Sequence, residues 1–420
     1  MRHPKNIDGT ANASDEKAPT SPSTSADHIR ITEQFSAHNY SPLGVVISKG
    51  QGVWLTDVEG KRYLDMLSAY SAVTWGHCPA RFIKVATEQM SRLTLCSRGF
   101  YSDQTGLFCK ELAELCKMEV VLPMNTGAEA VETALKAARK WAYEVKGVPD
   151  NKAEIIVFSG NFHGRTTTII SASSSSASKN HFGPLTPGFI MVPYGDSAAL
   201  AAAVTPHTAG ILIEPIQGEG GVIIPPEGYL RAVRKICTDN RVLFLADEIQ
   251  TGLCRTGKVF ACEHEGVQPD LYILGKALGA SLLPISAVIG SKEVMQVFTP
   301  GTHGSTFGGN PLACAVAREV IKYIREESPE NRAKELGAYL VEGLTAKPLS
   351  KVAEIRGRGL FVGLDVRKEF GKAKHFCHEL KDLGVLCKDT RDSTIRFAPP
   401  VVIEKSEIDW ALERIRKVLE

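Results

Sequence analysis

No apolar run in this chain approaches the roughly 20 residues needed to span a bilayer. Its apolar stretches, such as Ile211 to Ile213 and Val242 to Ala246, are strand-sized, so no membrane-spanning segment is expected. No CxxC pair occurs among the ten cysteines, and no secretory apolar region opens the chain. The thiols are therefore expected to be reduced, inside a cell. Neither sign of charge is in excess: Lys+Arg 49 stand against Asp+Glu 47, a formal charge of +2. That balance gives no ground for a nucleic-acid or polyanion partner, and any anion specificity must be local.

Residues 1–34 are short of the apolar side chains that offset ordering entropy, and a disordered polar tail is expected there. The tail is also short of arginine for a mitochondrial leader. Arg2 and Arg30 face Asp8, Asp15, Glu16 and Asp27, which favours the cytosol over the mitochondrial matrix.

What is present is an ordinary globular composition, with 43% hydrophobic and 23% charged residues over 420 positions. A chain of this length exceeds a single core, so two packed domains are expected. Residues 35–75 read as an N-terminal segment with a small antiparallel element around the turn Val58-Glu59-Gly60-Lys61. From 76 to 328, strand-like and helical stretches alternate: Val120 to Pro123, a helix from Ala128, Ile155 to Phe158, Ile211 to Glu214, a helix from Tyr229, Val242 to Asp247, and Leu271 to Leu274. This order predicts an α/β domain with a mostly parallel central sheet flanked by helices. Residues 329–420 read as a smaller α+β domain, with the boundary near Ser328-Pro329.

In such sheets ligands sit beyond the carboxyl ends of the strands. The polar residues fall there. Asn125-Thr126-Gly127-Ala128-Glu129 joins a strand to a helix and reads either as an anion site on free amides or as a plain N-cap by Thr126. Asp247 ends an apolar strand, where a carboxylate needs a cationic partner; the ring nitrogen of a pyridoxal cofactor would be one. Lys276 follows another strand amid apolar and small residues, a setting that frees the amine as nucleophile and base. His303 to Pro311 is a Gly-rich polar stretch able to offer Ser305 and Thr306 to a phosphate, or to be a plain loop.

Taken in order, MNTGAEAVETALKAARKWA, NFHGRT, EPIQGEGG, LADEIQTGLCRTG, LGKALGASLLPISAV and HGSTFGGNPLACAVA resemble the class III aminotransferases of pyridoxal 5'-phosphate (PLP) fold type I. The likeness runs from about residue 38 to the end. It implies a Schiff base on Lys276, which also shuttles the substrate proton, and Asp247 on the pyridinium nitrogen. Gln250 would meet the phenolic oxygen, Phe162 would stack on the ring, and Gly127 with Ala128 would cradle the phosphate. Ser305 and Thr306 would reach that phosphate from a second subunit, which implies a homodimer.

Within the class, Tyr40, Tyr70, Arg165, Glu219 and Arg396 are similar to the fingerprint of the ornithine enzymes, which move the δ-amino group of L-ornithine to 2-oxoglutarate. That likeness implies Arg165 on the ornithine α-carboxylate, Tyr40 near its α-amine, Tyr70 narrowing the pocket, and a Glu219–Arg396 pair that opens for 2-oxoglutarate. His163 departs from the fingerprint. Trp is familiar there in ornithine enzymes, and His in the acetylornithine and 4-aminobutyrate branches. The alternatives are thus another ω-aminotransferase, acting on N-acetylornithine or 4-aminobutyrate, or more distantly a PLP-dependent decarboxylase or aminomutase. No metal is expected: His375 and His378 sit i,i+3 on an amphipathic helix, a spacing that reads as a solvated face.

Overall fold

The strands of the central sheet alternate side chains between two faces, and both faces are covered. Ile156, Phe158, Ile211, Phe244 and Tyr272 enter one apolar cluster. Their neighbours Ile155, Val157, Leu212, Leu245 and Ile273 enter another on the opposite face. A strand buried on both sides must be apolar throughout, which is why these segments read as continuous runs. The computed structural model describes residues 24–420.

In spatial order the seven strands are Val120–Met124, Ser286–Gly290, Leu271–Leu274, Leu243–Asp247, Thr208–Ile213, Glu154–Phe158 and Phe189–Val192. All run the same way except Ser286–Gly290, which is antiparallel to both neighbours. The mostly parallel sheet expected from the alternation is therefore present, with one reversed strand inserted. The helix Gly127–Trp141 packs across it. Its start is set by a capping box in which Thr126 Oγ1 accepts from Glu129 N and the Glu129 carboxylate accepts from Thr126 N.

A second core joins the two ends of the chain. Val53, Leu64 and Met66 pack with Leu340, Leu364, Leu380, Ile395 and Ile415. The antiparallel strands Ile47–Gln51, Trp54–Asp57 and Arg62–Asp65 are completed by Val385–Leu386, which pairs parallel to Arg62–Asp65. A third sheet holds Val352–Gly357, Val362–Val366, Thr394–Phe397 and Lys388–Thr390.

The expectation of a disordered tail to residue 34 needs correction at its end. Ser25–Phe35 is a helix capped by Thr24, whose side chain accepts from Asp27 N. The Glu59 carboxylate accepts from both Ser25 N and Ser25 Oγ, at 2.7 and 2.6 Å. A cap and a docking acid from the turn between Trp54–Asp57 and Arg62–Asp65 thus offset the lack of apolar side chains. The expectation for residues 1–23 lies outside the described residues.

Candidate active site

Three strand ends and one helix start converge on a cavity of about 210 Å³. Asp247 closes the strand Leu243–Asp247 at 4% exposure. Its Oδ1 accepts from Ile249 N at 3.1 Å, and its Oδ2 meets His163 Nδ1 at 2.6 Å. Burial alone would lower the His163 pKa, but the Asp247 carboxylate outweighs it and raises the value. His163 Nε2 is buried and finds no partner among the described residues.

Lys276 stands two residues past the end of the strand Leu271–Leu274, with φ +44°. Burial lowers its amine from 10.5 to about 8, against the pull of Glu219 and Asp247. Glu214 follows the strand Thr208–Ile213 and lines the same cavity. Burial raises its carboxyl from 4.5 to about 7, even though Phe162 N and Gly218 N donate to it.

Gly127 and Ala128 form the cavity wall at the helix start, where backbone amides have no carbonyl one turn earlier to bond. A Cβ on Gly127 would lie 3.0 Å from Ile249 Cδ1, so a side chain there would crowd this wall. Phe162 faces the cavity, with the Arg165 guanidinium 5.3 Å from its ring. Arg165 Nη1 donates to Ser178 Oγ at 2.6 Å.

Arg396 is wholly buried on the strand Thr394–Phe397. Its Nη1 meets Glu219 Oε1 at 2.6 Å, while Nε and Nη2 are buried without a partner among the described residues. Its guanidinium lies 5.0 Å from the Tyr70 ring. Tyr70 O accepts from Gln250 Nε2 at 3.1 Å, which ties the Tyr70 backbone to the cavity. Ser68, Ala69, Tyr70 and Ser71 all have positive φ. Left-handed backbone costs L-residues about 1–2 kcal/mol each, so this turn is strained and must be held.

Not every expected residue lines the same space. Gly127, Ala128, Phe162, Asp247, Gln250 and Lys276 share the 210 Å³ cavity. Tyr40, 74% exposed, joins Tyr70 in a neighbouring cavity of about 700 Å³. Ser305 and Thr306 lie apart from both, in a hollow shared with Ser97 and Arg98, where Asn125 Nδ2 donates to Ser305 Oγ at 3.0 Å. Sequence reasoning passed over Glu214 as a site residue and gave His163 no partner. Glu214 sits just past an apolar strand, as Lys276 does, and Asp247 closes another, so the same strand-end signal was available.

Known proteins resemble the chain over nearly its whole length. Residues 35–419 match the family described as Aminotransferase class-III. An ornithine aminotransferase of Brevibacillus brevis is 55% identical over 391 residues, 93% of this chain and 97% of that protein. One of Bacillus subtilis is 52% identical over 400 residues, 95% of this chain and 99% of its own length. The crystal structure of the ornithine aminotransferase from Toxoplasma gondii ME49 superposes with a TM-score of 0.93 at 45% identity, covering 95% of this chain and 96% of that one.

Proposed function

Because this chain belongs to the class III aminotransferases, we propose that it transfers the δ-amino group of L-ornithine to 2-oxoglutarate. The products are L-glutamate and glutamate 5-semialdehyde, which cyclises to pyrroline-5-carboxylate.

The residues present fit PLP. The free amides of Gly127 and Ala128 suit a phosphate, and the helix dipole favours its charge. Asp247 is a buried carboxylate able to hold a protonated ring nitrogen, with His163 fixing its second oxygen. Phe162 offers an aromatic face, and Gln250 a second amide hydrogen beside the one on Tyr70 O. When bound, PLP supplies an electron sink that stabilises negative charge on the substrate's reacting carbon. The lowered Lys276 amine is nucleophilic near neutral pH, and its Nζ is placed to take the proton from the carbon that carries the departing amine and to hand it on, away from that carbon, to the cofactor side of the C–N bond.

Specificity comes from two arginines. Arg165 leaves Ser178 to take the ornithine α-carboxylate, and Tyr40 stands near the α-amine. Glu219 meanwhile neutralises Arg396, so nothing close to Lys276 draws an α-carboxylate inward. For 2-oxoglutarate, Glu219 swings away from Arg396, which its 29% side-chain exposure allows. Arg396 then takes the α-carboxylate and Arg165 the distal one. The observation that carries this reading is the single-ended Arg396–Glu219 pair: Nη1 is engaged, while Nε and Nη2 remain a free fork.

Ser305 and Thr306 reach the phosphate from a second copy, so the working unit is a homodimer. Their position outside their own chain's cavity supports this. The cytosol is the proposed compartment, in keeping with ten unpaired cysteines. Among the described residues no helix is long and apolar enough to cross a membrane.

The test is pyrroline formation by purified protein from ornithine and 2-oxoglutarate. Failure with ornithine alongside turnover of N-acetylornithine or 4-aminobutyrate would overturn the substrate assignment.

A further inference from the structure

The strained turn Ser68 to Ser71 contains no glycine, so its geometry is imposed from outside. Asp65, 4% exposed, imposes it from the preceding strand. Its Oδ1 accepts from Leu67 N at 2.9 Å and Ser68 N at 2.8 Å. Its Oδ2 meets His77 Nε2 at 2.7 Å, which stops the carboxylate from rotating away from those amides. His77 is itself pinned by paired backbone bonds with Gly52, and it packs so closely on Gly50 that a Cβ there would lie 2.9 Å from the His77 Cβ. At the far end of the turn, Tyr70 presents its carbonyl to Gln250 and its ring to Arg396.

We propose that Asp65 and His77 are positioning residues that hold the Tyr70 turn in its left-handed form and thereby set the preference of the site for a δ-amine over an α-amine. The inference rests on the reading of Tyr70, Glu219 and Arg396 given above. Released from Asp65, the turn relaxes toward right-handed backbone and the Tyr70 ring leaves the Arg396 face. Arg396 is then free to tilt off Glu219 and accept an α-carboxylate during the first half-reaction. Neither Asp65 nor His77 touches the reacting atoms.

The experiment compares the holoenzyme's first half-reactions with ornithine and with glutamate, followed by the visible absorbance of the bound cofactor, alongside melting temperature. Asp65→Ala and His77→Ala are expected to lower the ornithine-to-glutamate ratio of kcat/KM about tenfold, the loss divided between a raised ornithine KM and faster glutamate turnover. Asp65→Asn keeps an oxygen for the two amides and is expected to hold the ratio within about threefold of wild type. A purely structural role would slow both donors together and leave the ratio alone, and that result overturns the proposal. If Asp65→Ala does not fold, His77→Ala decides by the same ratio. Wild-type protein inert toward ornithine overturns the substrate reading and this inference with it; wild-type preference for ornithine shared unchanged by the variants overturns this inference alone.

Discussion

Arg396 and Glu219 meet at 2.6 Å across an uneven boundary, the guanidinium wholly buried and the carboxylate still open on one side. While the Tyr70 turn is held the cation stays in place, whereas the anion can move. Replacing Glu219 with Ala strands a buried charge, a change that costs about 3 kcal/mol of stability where no new partner arrives. Glutamate should become the better donor relative to ornithine by about tenfold or more, read from the two half-reactions. An unchanged donor preference would count against the gate.

Glu214 gives a pH signature. Its carboxyl is raised from 4.5 to about 7 by burial, so between those values the folded chain holds a proton that the unfolded chain has released. Stability contributed by this group therefore falls as pH rises through that window, and the penalty is complete above about 7. Glu214→Gln cannot ionise. Its stability relative to wild type should improve from pH 4.5 to 7 by up to about 3 kcal/mol, measured by urea denaturation. A flat difference across that range would show that Glu214 does not titrate there.

Lys276 has the opposite sign. Its amine is lowered from 10.5 to about 8, so between those values the unfolded chain binds a proton that the folded chain lacks. Wild-type stability should rise with pH across that interval. In cofactor-free protein Lys276→Met should be the more stable form at pH 7, and the gain should vanish by about pH 10.5. Turnover of the loaded variant should fall by about a thousandfold or more. Retained ornithine turnover would remove Lys276 from the chemistry.

Gly218 lies so close to Gln250 that an added Cβ would sit 1.6 Å from its Oε1. Gly218→Ala should fold, because the obstructing atom is the end of a flexible side chain, yet Gln250 must swing off Tyr70 O. The lost hydrogen bond is worth about 1 kcal/mol, and ornithine turnover should drop about fivefold. A shifted absorbance band of the bound cofactor would report the displaced amide. Wild-type rate and spectrum in this variant would deny Gln250 a place at the site.

Much of the large sheet was legible because burial on both faces leaves long apolar runs, with Asp247 closing one and Lys276 two residues past another. Ser286–Gly290 escaped because strand direction leaves no mark on hydropathy. Val352–Gly357 escaped because Glu354 and Arg356 on this half-exposed strand break the apolar pattern. Tyr40 and Tyr70 emerged only through family likeness. The turn holding Tyr70 carries no glycine signal, and its cause lies in Asp65 and in His77, twelve residues further on. The His163–Asp247 pair, separated by 84 positions, is equally silent along the chain.

The parallel pairing of Arg62–Asp65 with Val385–Leu386 also imposes a schedule on synthesis. At about 5–20 residues per second, a ribosome delivers the second strand on the order of tens of seconds after the first. The strands of the central sheet emerge within that interval and need nothing later in the chain to pair with one another. The proposed cofactor cradle can therefore form on the nascent chain while the wall that carries Tyr70 still waits for its last strand. A message truncated before codon 385 would yield a chain with the strands of the central sheet and without the strand that completes the wall behind Tyr70.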